Sequence, residues 1–300
     1  MVEALARWLG TYAIQVLLVL LVAVLLLIAL LWRLFEAYYG QLWSWGNTLW
    51  QRLTRLAWAQ RLERRYPRLW AFLGRRLSPG GYLGLHLTLG LLLSLVALSL
   101  FGGIAEDVLR QEAVVQFDQA LAIALHQHAT SQSVTVFEII TVLGSGVFVT
   151  LLGLGVGVVL FLRRRWLLLT SWGITLVGAA LLIFSLKDIF QRARPHFANP
   201  FVVASGWSFP SGHATGSLIV YGMLTYLLVL GLNRAWAKVL VAGAVTLILL
   251  IGFSRLYLRV HFFSDVIAGY LVGTAWLAIT ISGTEVARRR QQAQKSGDPS

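Results

Sequence analysis

Residues 12–31 read YAIQVLLVLLVAVLLLIALL, an apolar run interrupted by a single glutamine. An α-helix rises about 1.5 Å per residue, so about 20 such residues cross the hydrocarbon core of a bilayer. No small-residue cleavage site follows the run, which favours a retained transmembrane helix over a removed signal peptide.

The composition of the whole chain is that of an integral membrane protein. Of its 300 residues, 58% are hydrophobic, 12% are charged and 12 are Trp, and the mean hydropathy is +0.74. Cysteine is absent, which excludes disulfides, thiolate metal sites and a cysteine nucleophile.

Further apolar runs predict the fold class. Each is close to the length that a helix needs to cross a membrane, and they lie at 82–104, 137–162, 166–186, 213–232, 238–254 and 264–283. We therefore expect an all-α, polytopic membrane bundle with a six-helix core at 82–283 and one extra N-terminal transmembrane helix at 1–34. Residues 35–81, rich in Trp and Arg, form a cytoplasmic linker or an interfacial helix, and 284–300 form a polar cytoplasmic tail.

The distribution of basic residues predicts the orientation. Lys and Arg cluster in alternate connections, at 163–165, 234–238 and 288–295, which the positive-inside rule assigns to the cytoplasm. The formal net charge of +13 therefore indicates contact with anionic membrane lipids and no nucleic-acid partner. The opposite connections, 187–212 among them, retain cations on the outer side, and these need a reason.

Three polar stretches lie at the outer ends of the predicted helices: KDIFQRARP at 187–195, PSGH at 210–213 and SRLYLRVHFFSD at 254–265. Ionisable groups at a membrane edge are costly unless they are paired or bind a ligand. Lys187, Arg194 and Arg255 together require an anion, and the planar fork of arginine matches phosphate oxygens.

The PSGH stretch has the pattern of a helix N-terminus. Pro210 and Ser211 suit the turn and the N-cap, and Gly212 lets an anion approach the free backbone N–H groups. An ordinary capped helix explains these three residues equally well, but it does not explain His213.

His261 and Asp265 are four residues apart, which on a helix places both side chains on one face. The carboxylate would then fix the imidazole tautomer and leave the other ring nitrogen free to attack. Taken alone, this pair is also compatible with an interfacial histidine and a satisfied neighbour.

The three stretches together specify eleven positions, and all eleven resemble the tripartite signature of the type-2 phosphatidic acid phosphatase family, which is similar to the vanadium haloperoxidases. The resemblance implies that His261 forms a phosphohistidine, that Asp265 orients it and that His213 protonates the leaving oxygen. It further implies that the phosphoryl oxygens are bound by Lys187, Arg194, Ser211, Gly212 and Arg255.

We expect no cofactor and no metal, because Asp188 and Asp265 are the only acidic residues between 139 and 284 and two-metal hydrolysis needs more ligands. The resemblance implies hydrolysis of a lipid phosphate, such as undecaprenyl diphosphate, phosphatidylglycerol phosphate or phosphatidate. It also suggests a bacterial inner membrane with the site facing the periplasm. A lipid phosphotransferase and a non-catalytic lipid-binding or transport protein are the alternatives, and the oligomeric state is open.

Overall fold

The computed structural model describes residues 2–77, 82–197, 201–202 and 204–296, and this part of the chain is helical without strands. The helices are α1 (Val2–Thr11), α2 (Ala13–Thr54), α3 (Ala57–Arg65), α4 (Pro67–Leu77), α5 (Tyr82–Leu109), α6 (Ala113–His128), α7 (Ser131–Val142), α8 (Gly146–Leu162), α9 (Trp166–Phe190), α10 (Gly212–Val229), α11 (Arg234–Tyr257) and α12 (Phe263–Ser296).

Seven segments of the described chain are long and apolar enough to cross a membrane, which confirms the predicted helical membrane bundle. They are Ala13–Tyr38, Leu87–Leu109, Ser131–Leu162, Trp166–Phe190, Gly212–Val229, Arg234–Tyr257 and Phe263–Gln294. Many of their large apolar side chains are exposed on the outside of the bundle, as expected where lipid replaces water.

Two helices extend beyond the apolar runs that predicted them. Helix α2 continues past residue 34 to Thr54, and α12 continues into the polar tail to Ser296. The remainder of the basic segment at 35–81 contains α3 and α4, and Trp70 of α4 stacks on Trp50 of α2 with ring centroids 6.5 Å apart. Residues 78–81 and 297–300 lie outside the described part.

The predicted single helix at 137–162 is wrong, because the chain breaks between α7 and α8. Ser145 caps α8 by accepting a hydrogen bond from the Phe148 amide at 3.2 Å, and the Leu143 carbonyl accepts one from the Tyr221 hydroxyl at 2.7 Å. A Cβ at Gly144 would collide with Ile251 and lie 3.3 Å from Cδ2 of His213. The break thus lets α7 and α8 approach α10 and α11 closely.

Helix α10 lies at the centre of the bundle and packs against α9, α11 and α12. Its N-terminus, the N-terminus of α12 and the C-termini of α9 and α11 all lie at one end of the bundle, which we call the site end. The opposite end carries the connection that contains Arg163, Arg164 and Arg165. Helix α1 packs on α6 at the site end, where Gly10 fits directly against Ala124.

Candidate active site

All eight residues predicted to form the site meet at the site end of the bundle. Helix α9 supplies Lys187 near its C-terminus and the segment after it supplies Arg194. The beginning of α10 supplies Ser211, Gly212 and His213, the last turn of α11 supplies Arg255, and the following turn and α12 supply His261 and Asp265.

The predicted contact between His261 and Asp265 is present, with Nδ1 and Oδ2 3.4 Å apart. Its predicted helical origin is wrong, because His261 lies in the turn before α12 rather than on the helix. In that turn the Arg255 carbonyl accepts hydrogen bonds from the Val260 and His261 amides at 3.1 and 3.3 Å. Asp265 is the third residue of α12 and accepts the Phe262 amide at 2.8 Å, the second half of a capping box.

The hydrogen-bond partners of His261 determine its tautomer. Its Nε2 lies 3.1 Å from Nη1 of Arg194, and because a guanidinium only donates, Nε2 has to accept. The ring proton therefore lies on Nδ1, towards Asp265. Burial lowers the pKa of His261 to about 4, against the opposing effect of the Asp265 carboxylate, so the ring is neutral at neutral pH.

Backbone carbonyls accept hydrogen bonds from two cations of the site, Arg194 and Lys187. Arg194 donates from Nε to Gly206 at 2.9 Å, from Nη1 to Val260 at 2.6 Å and from Nη2 to Ser205 at 3.1 Å. Lys187 donates from Nζ to the Trp207 carbonyl. Burial lowers the pKa of Arg194, yet an arginine remains charged at physiological pH. The carbonyls of residues 205–207 therefore hold both cations in place, and neither cation forms a salt bridge within the described part of the chain.

Arg255 is held from the α7 side. It is buried with 4% exposure, and its Nη1 donates to Oγ1 of Thr141 at 2.7 Å. Its Nε is buried and has no hydrogen-bond partner in the described part of the chain. A buried donor of this kind is costly unless a ligand accepts from it.

Helix α10 begins at Gly212 with Ser211 as its N-cap, as the PSGH pattern predicted. The Ser211 hydroxyl accepts the Ala214 amide at 3.5 Å, and the Ser211 amide donates to the Asp265 carbonyl at 2.9 Å. A Cβ at Gly212 would lie 3.7 Å from Cε of Lys187. The absence of a side chain therefore keeps the space between the helix N-terminus and the lysine open.

A cavity of about 1200 Å³ joins these groups. Its polar end is lined by Lys187, Arg194, Gly212, His213, Arg255 and His261. The rest of the cavity is an apolar trough between α8 and α9, in which Gly153 and Gly157 alternate with valines and leucines and face residues such as Trp172 and Leu176. Ser211 and Asp265 lie behind this lining and support it.

The sequence did not identify several residues that hold the site together. Asp265 accepts hydrogen bonds from Ser208 and from Arg192, and Arg192 also pairs with Asp118 on α6. In the sequence, the only indication of a role for Arg192 was that the outer connection at 187–212 retains cations. Asp118 and Thr141 gave none, because their partners are far away in the chain.

No group of three or more His, Asp or Glu side chains within the described residues could hold a metal ion. The acidic groups nearest the cavity, Asp118 and Asp265, are engaged with Arg192.

The fold and the site define a helical membrane protein with a buried cationic cavity, and comparisons with known proteins identify its family. The sequence model of the PAP2 superfamily matches residues 166–289. The chain is 32% identical to phosphatidylglycerophosphatase B of Bacillus subtilis (strain 168) over 209 residues, which are 66% of this chain and 98% of that protein.

The crystal structure of the transmembrane PAP2 type phosphatidylglycerolphosphate phosphatase from Bacillus subtilis is similar, with a TM-score of 0.58 and 30% identity. The match covers 64% of this chain and 96% of that one. The chain therefore belongs to the PAP2 superfamily, and it is an integral membrane lipid phosphatase. All eight predicted site residues fall within the matched range.

Proposed function

We propose that the protein hydrolyses a membrane lipid phosphate on the extracytoplasmic side of a bacterial inner membrane through a phosphohistidine on His261. One observation carries the proposal: a single cavity places three cations and two histidines at the end of an apolar trough. This arrangement suits a molecule that is phosphorylated at one end and apolar along the rest of its length.

The phosphoryl group binds at the polar end of the cavity. Arg194 and Arg255 donate to its oxygens from fixed planar forks, and Lys187 adds a point charge. The amides at the start of α10, the helix that Ser211 caps, complete the set of donors, since a helix N-terminus favours an anion. These donors stabilise the charge that the equatorial oxygens carry in the transition state.

The reaction has two steps, and each balances without a further reactant. Nε2 of His261 attacks phosphorus, the bond from phosphorus to the lipid oxygen breaks, and His213 gives its proton to that oxygen. Water then attacks the phosphohistidine, the bond from phosphorus to nitrogen breaks, and His213 accepts the proton of the water. The proton stays on Nδ1 of His261 throughout, and the Asp265 carboxylate accepts its hydrogen bond and stabilises the positive charge on the ring.

The lipid tail lies in the trough between α8 and α9. The lining positions on α8 include 146, 149, 150, 153, 154, 157, 158 and 161, which is one face of a helix. Between residues 146 and 161 this face is about 22 Å long, most of the hydrocarbon thickness of a bilayer. A tail can therefore stay at membrane depth while its phosphate reaches the cations.

The distribution of charge supports the orientation. The connection at 163–165 and the start of α11 at Arg234 lie at the end of the bundle opposite the site, and the positive-inside rule assigns such arginines to the cytoplasm. Of the candidate substrates, phosphatidylglycerol phosphate comes first, because the curated relative is named as a phosphatase of that lipid. Undecaprenyl diphosphate and phosphatidate present the same phosphoryl end to the cavity.

The test is phosphate release by the purified protein in detergent with EDTA, using these three lipids as substrates. His261→Ala should abolish release, and, unlike the wild type, the mutant protein should trap no phosphoryl group after a rapid quench in alkaline detergent, because the phosphorus–nitrogen bond of a phosphohistidine is stable to alkali but not to acid. The matched control is His196→Ala, which removes an exposed histidine at the same end of the molecule and should change little. Turnover by His261→Ala at the wild-type rate would refute the intermediate, and loss of wild-type release in EDTA would refute the metal-free reaction.

A further inference from the structure

A carboxylate outside the matched family range lies directly behind the site. Asp118 is on α6, and its side chain is buried with 1% exposure. Its Oδ1 accepts the Ser264 amide at 3.0 Å, and its Oδ2 accepts the Ser264 hydroxyl and Nη2 of Arg192, the latter at 2.8 Å. Burial raises the pKa of Asp118, and the hydrogen bonds from Ser264 and Arg192 oppose that rise.

Arg192 connects this carboxylate to the site. Its Nη2 donates to Asp118, and its Nη1 donates to Oδ1 of Asp265 at 2.6 Å and to the Ser264 hydroxyl at 2.7 Å. The face of the guanidinium lies on the Phe262 ring at 4.4 Å from its centroid. One fork thus spans two buried carboxylates, and its plane is fixed by an aromatic ring.

The fork divides the two oxygens of Asp265 between different partners. Arg192 occupies Oδ1, whereas Oδ2 accepts the Ser208 hydroxyl and the Phe262 amide and faces Nδ1 of His261 at 3.4 Å. An arginine beside a lone carboxylate tends to bind both oxygens in parallel. Here its second amino group is held by Asp118, so Oδ2 stays available to the histidine.

We propose that Asp118 is a positioning residue for the phosphatase reaction, which acts through Arg192 and Asp265 to hold His261 in its attacking orientation. The inference rests on the proposed function of His261. Without the Asp118 charge, Arg192 closes on both oxygens of Asp265 and competes with the His261 ring for Oδ2. The pair of Arg192 and Asp265 then becomes electrically neutral, and the carboxylate stabilises the cationic ring less.

The test compares Asp118→Asn with Glu112→Gln, which removes an exposed carboxylate at the start of the same helix. Loss of a second carboxylate behind a functional histidine costs roughly 10- to 100-fold in metal sites, and we expect a fall in kcat of that order with KM within about threefold. Glu112→Gln should keep the wild-type values. The loss should be equal for p-nitrophenyl phosphate, whose leaving group needs no proton, because nucleophilic attack is impaired.

A double mutant separates positioning from general stabilisation. In an Asp265→Asn background, Asp118→Asn should lower kcat no further, because its route to His261 is already broken. A second reduction of the same size would overturn the proposal, as would a kcat of Asp118→Asn within twofold of wild type.

Arg192→Lys provides a second variant should Asp118→Asn fold poorly. Lysine keeps the charge but lacks the fork that spans both carboxylates, so the same loss of kcat is expected with an unchanged KM. Failure of this inference is distinct from failure of the proposed function: His261→Ala would be inactive while Asp118→Asn and Arg192→Lys stayed fully active. Turnover by His261→Ala would instead refute the proposed function itself.

Discussion

Narrowing the trough at Gly157 should impair turnover of long-chain lipids and spare water-soluble substrates. Gly157 lines the trough, and a Cβ there would lie 3.9 Å from Cδ1 of Leu169, so the backbone tolerates a side chain. In Gly157→Leu the branched end of the new side chain projects into the space assigned to the tail. Crowding of this kind costs about 1–3 kcal/mol, which corresponds to a loss of about 5- to 150-fold in kcat/KM.

The position of Gly157 sets a chain-length threshold. It lies eleven residues after the start of α8 at Gly146, which is about 16 Å along the helix axis. Tails that end before this depth should be cleaved at the wild-type rate, and longer tails should show the loss. The assay is phosphate release from a series of phosphatidates of increasing acyl length, with p-nitrophenyl phosphate as the tail-free reference.

The same helix offers a matched control. Gly155 is exposed, does not line the trough and has no atom within 4 Å of a Cβ built on it. Since two residues turn a helix by about 200°, Gly155→Leu adds the same side chain to the lipid-facing side. Equal activity of Gly155→Leu and Gly157→Leu on the longest substrate would refute the placement of the tail between α8 and α9.

Three further predictions test the electrostatics and the orientation of the site. With the His261 pKa near 4, kcat/KM, corrected for the titration of the substrate phosphate, should not fall from pH 7 to 5.5; a fall of about tenfold, as for a nucleophilic histidine with an ordinary pKa near 6.5, would contradict it. Thr141→Val removes the hydroxyl that holds Arg255 and should lower kcat/KM about tenfold, whereas Thr141→Ser should not; equal losses would exclude that contact as the cause. Because the chain lacks cysteine, Glu112→Cys should react with an impermeant maleimide on spheroplasts and Arg164→Cys only after lysis; the reverse pattern would invert the topology.

The membrane helices were readable from the sequence because each depends on a local property, a run of apolar residues of sufficient length. The break after Val142 was not readable, since glycine and serine occur inside many membrane helices without ending them. At this break Gly144 lies so close to Ile251 and His213 that a side chain would not fit, a contact between residues far apart in the chain. The extension of α2 to Thr54 lies in the basic segment at 35–81, for which the sequence left a linker and an interfacial helix open.

The positions of the site residues were predicted because their signature is dense, with eleven specified positions in three short stretches. The resemblance supplied their roles, and those remain predictions. Asp118 was not identified because it is one of four acidic residues between 105 and 136 and its partners are distant in the chain, 74 residues away for Arg192 and 146 for Ser264. The role of such a residue becomes apparent only when the structure shows which residues it contacts.

The cations of the site divide into two kinds according to what compensates their charge. Arg192 lies between two carboxylates and is neutralised by them. The hydrogen bonds described for Lys187, Arg194 and Arg255 go instead to carbonyls, a hydroxyl and an imidazole nitrogen, which orient the groups without cancelling their charge. Charges that are buried, as on Arg255, or partly buried, as on Lys187 and Arg194, are unfavourable without a salt-bridge partner, and we propose that a phosphate in the cavity relieves that cost. In the proposed function, the paired cation Arg192 therefore keeps Asp265 and His261 in place, and the other three cations bind the phosphoryl group.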